Sequence, residues 1–318
     1  MNNDNKIKKL ISISLLFLFI TANSVYAKIN IVTTIPDFAV IATDIGGDKV
    51  DVKSIVKGYQ DPHFVDAKPS YILLLNNADL LIYNGLDLEI GWLPPLITGS
   101  RNSKISSPDA PGNLNISTYI PKILEVPNIK IDRSMGDIHP GGNPHYTLDP
   151  RNGVHIAAGI AERLESIDPA NSDFYKKNLE SFDLKLRDKI KMWDGMLAPY
   201  KGTNIVTYHK SWVYFSNWAG FKEIGHIEPK PGIPPSPSYL SELVKKMQGM
   251  DLKLILSESF YPQKTASLVA QKTGSKLLVL PAMVDSTEGV DTYFDLFDKI
   301  VTDITSVLKN QNAISSKS

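Results

Sequence analysis

The chain is 318 residues long, with 34 basic and 34 acidic side chains, six histidines and no cysteine. Balanced charge gives no reason to expect nucleic acid or an anionic membrane surface as a partner, and without thiols neither disulfides nor thiolate metal ligands are available. The length is ample for two domains.

Lys6, Lys8 and Lys9 precede an apolar run at 10–21, and Val25-Tyr26-Ala27 puts small residues at the two positions a signal peptidase reads. Residues 1–27 are therefore expected to be a signal peptide, cleaved after Ala27. The apolar run falls short of the ~20 residues a spanning helix needs. An exported chain with no cysteine for a lipid anchor stays near its cell only inside an outer membrane. The expected compartment is a periplasm, and the expected state a freely diffusing monomer.

After Ala27, short apolar runs alternate with helical patterns, the mark of parallel α/β layers. Strands are expected at 29–34, 50–56 and 79–83, with helices at 38–45, 69–77 and 90–98 between them. Residues 108–143 are rich in Pro, Gly, Asn and Ser; a strand is expected at 116–120 and an exposed mobile loop at 134–143. A helix at 152–165 leads to a long one at 168–197, capped by Asp168. Its apolar positions Tyr175, Leu179, Phe182, Leu186, Ile190, Trp193 and Leu197 recur at steps of three and four. At 1.5 Å per residue such a helix is about 45 Å long. The alternation then resumes, with strands at 204–208, 222–226, 252–257 and 276–280 and helices at 211–219, 237–248, 263–273 and 291–309. The expected fold is α/β: two α/β lobes, each a mainly parallel sheet flanked by helices, joined by one long backbone helix. The boundaries are 28–167 for the N-terminal lobe, 168–198 for the connecting helix and 199–318 for the C-terminal lobe.

Three of the six histidines sit in turns just after apolar runs: Asp61-Pro62-His63-Phe64, Asn143-Pro144-His145-Tyr146 and Tyr208-His209-Lys210. Three imidazoles with one carboxylate make a closed tetrahedral shell for zinc. Asp285, in Leu280-Pro281-Ala282-Met283-Val284-Asp285, is the candidate fourth ligand. Open α/β sheets bind ligands beyond the carboxyl ends of their strands, so His63, His145, His209 and Asp285 would meet in the cleft between the lobes. Asp61 is placed to orient the His63 ring from behind. Glu258, at the end of the strand at 252–257, competes with Asp285 as a ligand or as the partner of a ligand histidine. His139 reads as a solvated loop histidine making at most transient metal contact, and His155 and His226 read as structural. Residues 228–235, rich in proline, read as a stiff connector with no chemistry of their own.

The order of these motifs (a signal peptide, DPH, NPHY-x-LDP, a long helix, YHKSW, EPKPGIPPSP and VD before a terminal helix) resembles the metal-binding solute receptors of zinc and manganese ABC importers, the cluster A-I substrate-binding proteins. The resemblance covers essentially all of the mature chain. It implies that His63, His145 and His209 are the first, second and third histidine ligands and Asp285 the C-terminal carboxylate. It also implies a membrane permease as partner, with no catalysis. Zinc receptors of this family often carry a long loop rich in histidine and acidic residues; 134–143 holds only Asp137 and His139.

Three neutral imidazoles and a carboxylate suit zinc, whereas manganese prefers more oxygen donors. Zinc is therefore the expected cargo, with a manganese receptor of the same family as the alternative. A zinc hydrolase is a further alternative, since three ligands and an open water position with Glu258 as base would meet its needs. The chain has no HExxH, and ligands spread over two lobes suit ion capture better than an enclosed substrate pocket.

Overall fold

The computed structural model describes residues 27–128, 139–230 and 232–315; apart from Ala27, the expected signal peptide lies outside them. The N-terminal sheet is built from β1 (Ile29–Thr33), β2 (Val50–Ser54), β3 (Leu80–Tyr83) and β4 (Asn113–Asn115), in the order β2-β1-β3-β4. The C-terminal sheet contains β5 (Asn204–Thr207), β6 (Lys222–His226), β7 (Leu252–Glu258) and β8 (Lys276–Leu280), in the order β6-β5-β7-β8. Every pairing in both sheets is parallel.

Parallel strands need crossovers, and here these are helices. The N-terminal lobe has α1 (Pro36–Gly46), α2 (Pro69–Asn76), α3 (Leu93–Ser100) and α4 (Pro150–Ile167). The C-terminal lobe has α6 (Val213–Ala219), α7 (Pro237–Met247), α8 (Gln263–Thr273) and α9 (Tyr293–Ser315). Proline in the first turn starts α1, α2, α3, α4 and α7, where its missing N–H costs nothing.

The connector is α5 (Ser172–Leu197), 26 residues and so about 39 Å long. It starts later than expected because Pro169–Asn171 form a 3-10 turn first. Asp168 does not cap it; its carboxylate instead accepts the Tyr175 hydroxyl (2.6 Å) and the Asn171 side-chain amide (2.7 Å). The expected stripe is the buried face: Tyr175, Phe182, Leu186, Trp193 and Leu197 are buried, with Leu179 and Ile190 half-buried against the same core. That core takes residues from both lobes and from α9, which packs along α5 and reaches α1. The Trp193 indole donates to Asp298 of α9 (2.9 Å), and the Tyr293 hydroxyl donates to the Thr147 carbonyl (2.8 Å).

The stretch expected as a strand at 116–120 is not one. The pairing strand is the shorter β4 just before it, and Ile116–Tyr119 is a 3-10 turn. The Asn115 carboxamide oxygen accepts both the backbone N–H (3.1 Å) and the hydroxyl (2.8 Å) of Ser117, bending the chain off the sheet edge. Of the loop expected to be mobile, residues 134–138 lie outside the described residues, but 139–143 are pinned. Gly142 N–H donates to the His139 carbonyl (3.0 Å), and Asn143 is buried.

Candidate metal centre

His63 and His145 are presented by the same local device. In each Asx-Pro-His turn the first side-chain oxygen accepts the histidine's own backbone N–H: Asp61 Oδ1 to His63 N at 3.0 Å, and Asn143 Oδ1 to His145 N at 3.0 Å. The proline fixes the middle of the turn and leaves its carbonyl free. A buried donor takes each carbonyl, the Trp92 indole N–H for Pro62 (2.9 Å) and the Asn84 amide for Pro144 (3.0 Å). Both rings are therefore aimed by backbone that is hydrogen-bonded on either side.

His209 comes from the other lobe. It follows β5 directly and opens the 3-10 turn Lys210–Trp212. Tyr208 N–H extends the sheet pairing to the Leu256 carbonyl (2.8 Å), and the Tyr208 ring stacks on Tyr261 (4.7 Å between centroids). Asn143 ties the two ligand segments together, since its amide also donates to the Lys210 carbonyl (2.9 Å).

The result is one group of three imidazoles whose ligand nitrogens all lie within 4.8 Å of one another. His145 Nε2 and His209 Nε2 are 3.3 Å apart, and the His63 ring is 5.2 and 5.3 Å from those two. The outward nitrogens of two rings are occupied by carboxylates. His63 Nδ1 bonds Asp61 Oδ1 at 2.7 Å, and His209 Nδ1 bonds Glu228 Oε2 at 2.5 Å. A carboxylate behind a ligand imidazole fixes the tautomer, leaving the Nε2 lone pair facing inward. His63 Nε2 is buried with no hydrogen-bond partner among the described residues. An unpartnered inward lone pair is what a cation would satisfy.

The electrostatics agree with neutral donor rings. Burial, and then the neighbouring His63, His209 and His139, hold the His145 imidazole well below its ordinary range. Burial would raise the Asp61 carboxyl, but the hydrogen bonds and charge of His63 more than offset it and keep Asp61 below its usual value.

Among the described residues the group does not include Asp285. Its side chain is exposed, its backbone is in the left-handed region (φ +61°), and its N–H donates to the Val290 carbonyl (2.8 Å). Glu258 is fully buried at the end of β7 but is not among the three grouped donors either. Burial pushes its carboxyl up to about 8, against the opposing pull of the Ser211 hydroxyl.

Glu228 corrects the reading of 228–235 as a connector without chemistry. Strands β5 and β6 are adjacent and parallel with Thr207 opposite His226, so two residues further on His209 lies level with Glu228. The matching position after two neighbouring strands was the available signal. The second Glu228 oxygen accepts Gly232 N–H (3.1 Å), anchoring the proline-rich turn to the site.

Residues 31–307 match the family described as zinc-uptake complex component A, periplasmic. The chain belongs to this family. Among curated relatives, the metal ABC transporter substrate-binding lipoprotein of Lactococcus lactis is 28% identical over 277 residues, 85% of this chain and 84% of its own length. The manganese ABC transporter substrate-binding lipoprotein PsaA of Streptococcus pneumoniae (strain TIGR4) is 27% identical over 283 residues, 85% of each chain. Among solved structures, the crystal structure of ZnuA superposes with a TM-score of 0.72 at 25% identity, covering 88% of this chain and 98% of that one. The fold is also that of a manganese-bound periplasmic metal-binding protein from Candidatus Liberibacter asiaticus (TM-score 0.73, 24% identity, 88% and 99% covered). As a member of the zinc-uptake component family, the protein is an extracytoplasmic metal-binding receptor of an ABC importer and not an enzyme.

Proposed function

We propose that this protein is a periplasmic zinc receptor that holds one zinc ion between His63, His145 and His209 and passes it to its cognate ABC permease as a soluble monomer. The observation that carries the reading is the convergence of three imidazole nitrogens within 4.8 Å across the two lobes, with two rings oriented by carboxylates. Nitrogen-rich, low-coordination sites favour zinc over manganese, which takes more oxygen ligands. The relatives' names divide between the two metals, PsaA being named for manganese and the family for zinc. A manganese receptor of the same class is therefore the alternative. Asp285 enters the proposal as a carboxylate donor that movement of its turn would deliver. The division into lobes at 28–167 and 199–318, with the connector at 168–198, belongs to the same reading.

The test is metal analysis of the protein purified from its native compartment, followed by titration against a competing chelator. The expected result is zinc in the purified protein and an end point of one equivalent. Manganese should compete only at large excess. Native manganese loading, or two equally tight equivalents of zinc, would overturn the proposal.

A further inference from the structure

Asn143 engages every polar group it has at the junction of the ligand segments. Besides the bond from His145 N–H to its side-chain oxygen, its own N–H donates to the Leu124 carbonyl (2.8 Å) and its carbonyl accepts the Tyr214 hydroxyl (3.0 Å). Its amide donates both to the Lys210 carbonyl (2.9 Å) and to Glu125 Oε2 (3.1 Å). Leu124 and Glu125 belong to a short strap at 123–126. It lies so close over Gly142 that a Cβ there would come within 2.4 Å of Ile123 and 2.9 Å of the Leu124 carbonyl oxygen.

The strap is fastened to the C-terminal lobe at two points. One is buried: Leu124 N–H donates to the Tyr214 hydroxyl of α6 (2.9 Å). The other faces solvent: Lys210 Nζ donates to Glu125 Oε1 (2.8 Å), with 41% and 37% of the two side chains exposed. Glu125 sits in the left-handed region (φ +51°), which residues with a Cβ seldom adopt. Such an outlier persists where its surroundings over-determine it, and here both carboxylate oxygens are held, one by Asn143 and one by Lys210. Burial would raise the Glu125 carboxyl, but the bonds from Lys210 and Asn143 more than offset it and keep it below its usual value.

We infer that the Glu125–Lys210 pair is a clasp on the loaded receptor, holding the His145 and His209 segments against one another, and that its opening sets how fast the ion leaves. This rests on the receptor reading above and adds the control of release. Lys210 follows His209 directly and Asn143 opens the turn of His145, so the clasp grips both ligand segments within two residues of an imidazole. It touches neither ring, and an ion is captured before the clasp closes, so it acts on departure and not on capture. Being at the surface, it can be loosened by salt or by a charged group on a docking partner while the buried Tyr214 bond stays made.

The experiment uses the full mature chain and zinc alone as the probe. Zinc loss into excess chelator and zinc association are each followed by stopped flow for wild type, Glu125→Ala, Lys210→Met and the double variant. Each single change should speed zinc loss by about fivefold, the upper end for a surface ion pair. The double variant should be no faster than E125A alone, as expected for two halves of one interaction. Association rates should stay within about twofold of wild type. Salt should speed zinc loss from the wild type and leave the variants unaffected. Unchanged dissociation in K210M, or effects that multiply in the double variant, would overturn the inference while leaving the receptor reading intact. If H63A and H209A left zinc binding unchanged, the receptor reading itself would fall, and this inference with it.

Discussion

Removing Glu228 separates the geometry of the ligands from their orientation. In Glu228→Ala the three imidazoles remain, but His209 Nδ1 loses the acceptor that holds it at 2.5 Å. The two side chains are only 5% and 8% exposed, so water does not readily replace the lost partner. Loss of such an outer carboxylate costs 10–100-fold in metal affinity, about 1.4 to 2.7 kcal/mol. A buried donor left without a partner costs a further ~1–3 kcal/mol of stability in the metal-free protein. Glu228→Gln keeps an acceptor oxygen and the side-chain shape while removing the charge, so its zinc affinity should fall by about tenfold at most, the lower end of that range. Glutamine offers one acceptor oxygen for two donors, so with that oxygen on His209 the Gly232 N–H loses its partner in both variants, and proteolysis of the segment at 229–235 should rise in both. The assay is zinc titration against a chelator of known affinity, with thermal unfolding of the metal-free variants alongside. A Kd for E228A within twofold of wild type would refute the claim that this carboxylate orients the His209 ligand.

Above the ordinary histidine range, from about pH 7 to about 8, the metal-free protein should lose stability as pH rises. Burial pushes the Glu258 carboxyl up to about 8 and those of Asp37, Glu89 and Glu223 up to about 7, so there the native state holds more protons than the unfolded chain, whereas at lower pH the depressed His139, His145 and His226 pull the other way. The carboxyl contribution is complete below the ordinary carboxyl range and is lost as pH rises from there to 7 or 8, at up to about 1.4 kcal/mol per pH unit for each group. Urea unfolding at several pH values checks the slope, which Glu258→Gln should flatten most above pH 7; a stability that rises with pH there would contradict the burial of these groups. Gly58→Ala should push the lobes apart, because a Cβ there would meet the Val284 carbonyl oxygen at 2.0 Å and the backbone of Asp285 and Ser286 at 2.4 Å. The expected cost is about 1–3 kcal/mol, with an increase in radius of gyration by small-angle scattering; unchanged values for both would mean the inter-lobe contact yields freely.

Much of this molecule is legible from the chain because its signals are local. Alternating apolar runs and proline starts locate most strands and helices to within a few residues. The three histidines are marked by the turns that present them, and Asp61 lies two residues from the ring it orients. What was missed depends on neighbours distant in sequence. Glu228 matters only because β5 and β6 lie side by side in register. The strand expected at 116–120 failed for a different reason: apolar periodicity cannot show that Asn115 spends its side chain turning Ser117 off the sheet. Asp285 was placed by its position, before a helix and after a strand, and by the resemblance to the receptor family; neither signal says which way a side chain in a left-handed turn faces, and here it is exposed.

The return of α9 across α5 to the first lobe bears on how the protein is made. Tyr293 fills the space over Gly153 of α4, where a Cβ would come within 2.6 Å of its ring, and donates to the Thr147 carbonyl next to the His145 turn. The N-terminal half therefore lacks part of its own interior until nearly the last residues of the chain are available. Domains that emerge first ordinarily fold first; here the packing of the first lobe is completed by the last helix. The expectation that follows is a chain that packs fully only once α9 is available. A receptor that works outside the cytoplasm gains from that delay, since tight packing and metal capture are both postponed until the polypeptide reaches the compartment where its ion is found.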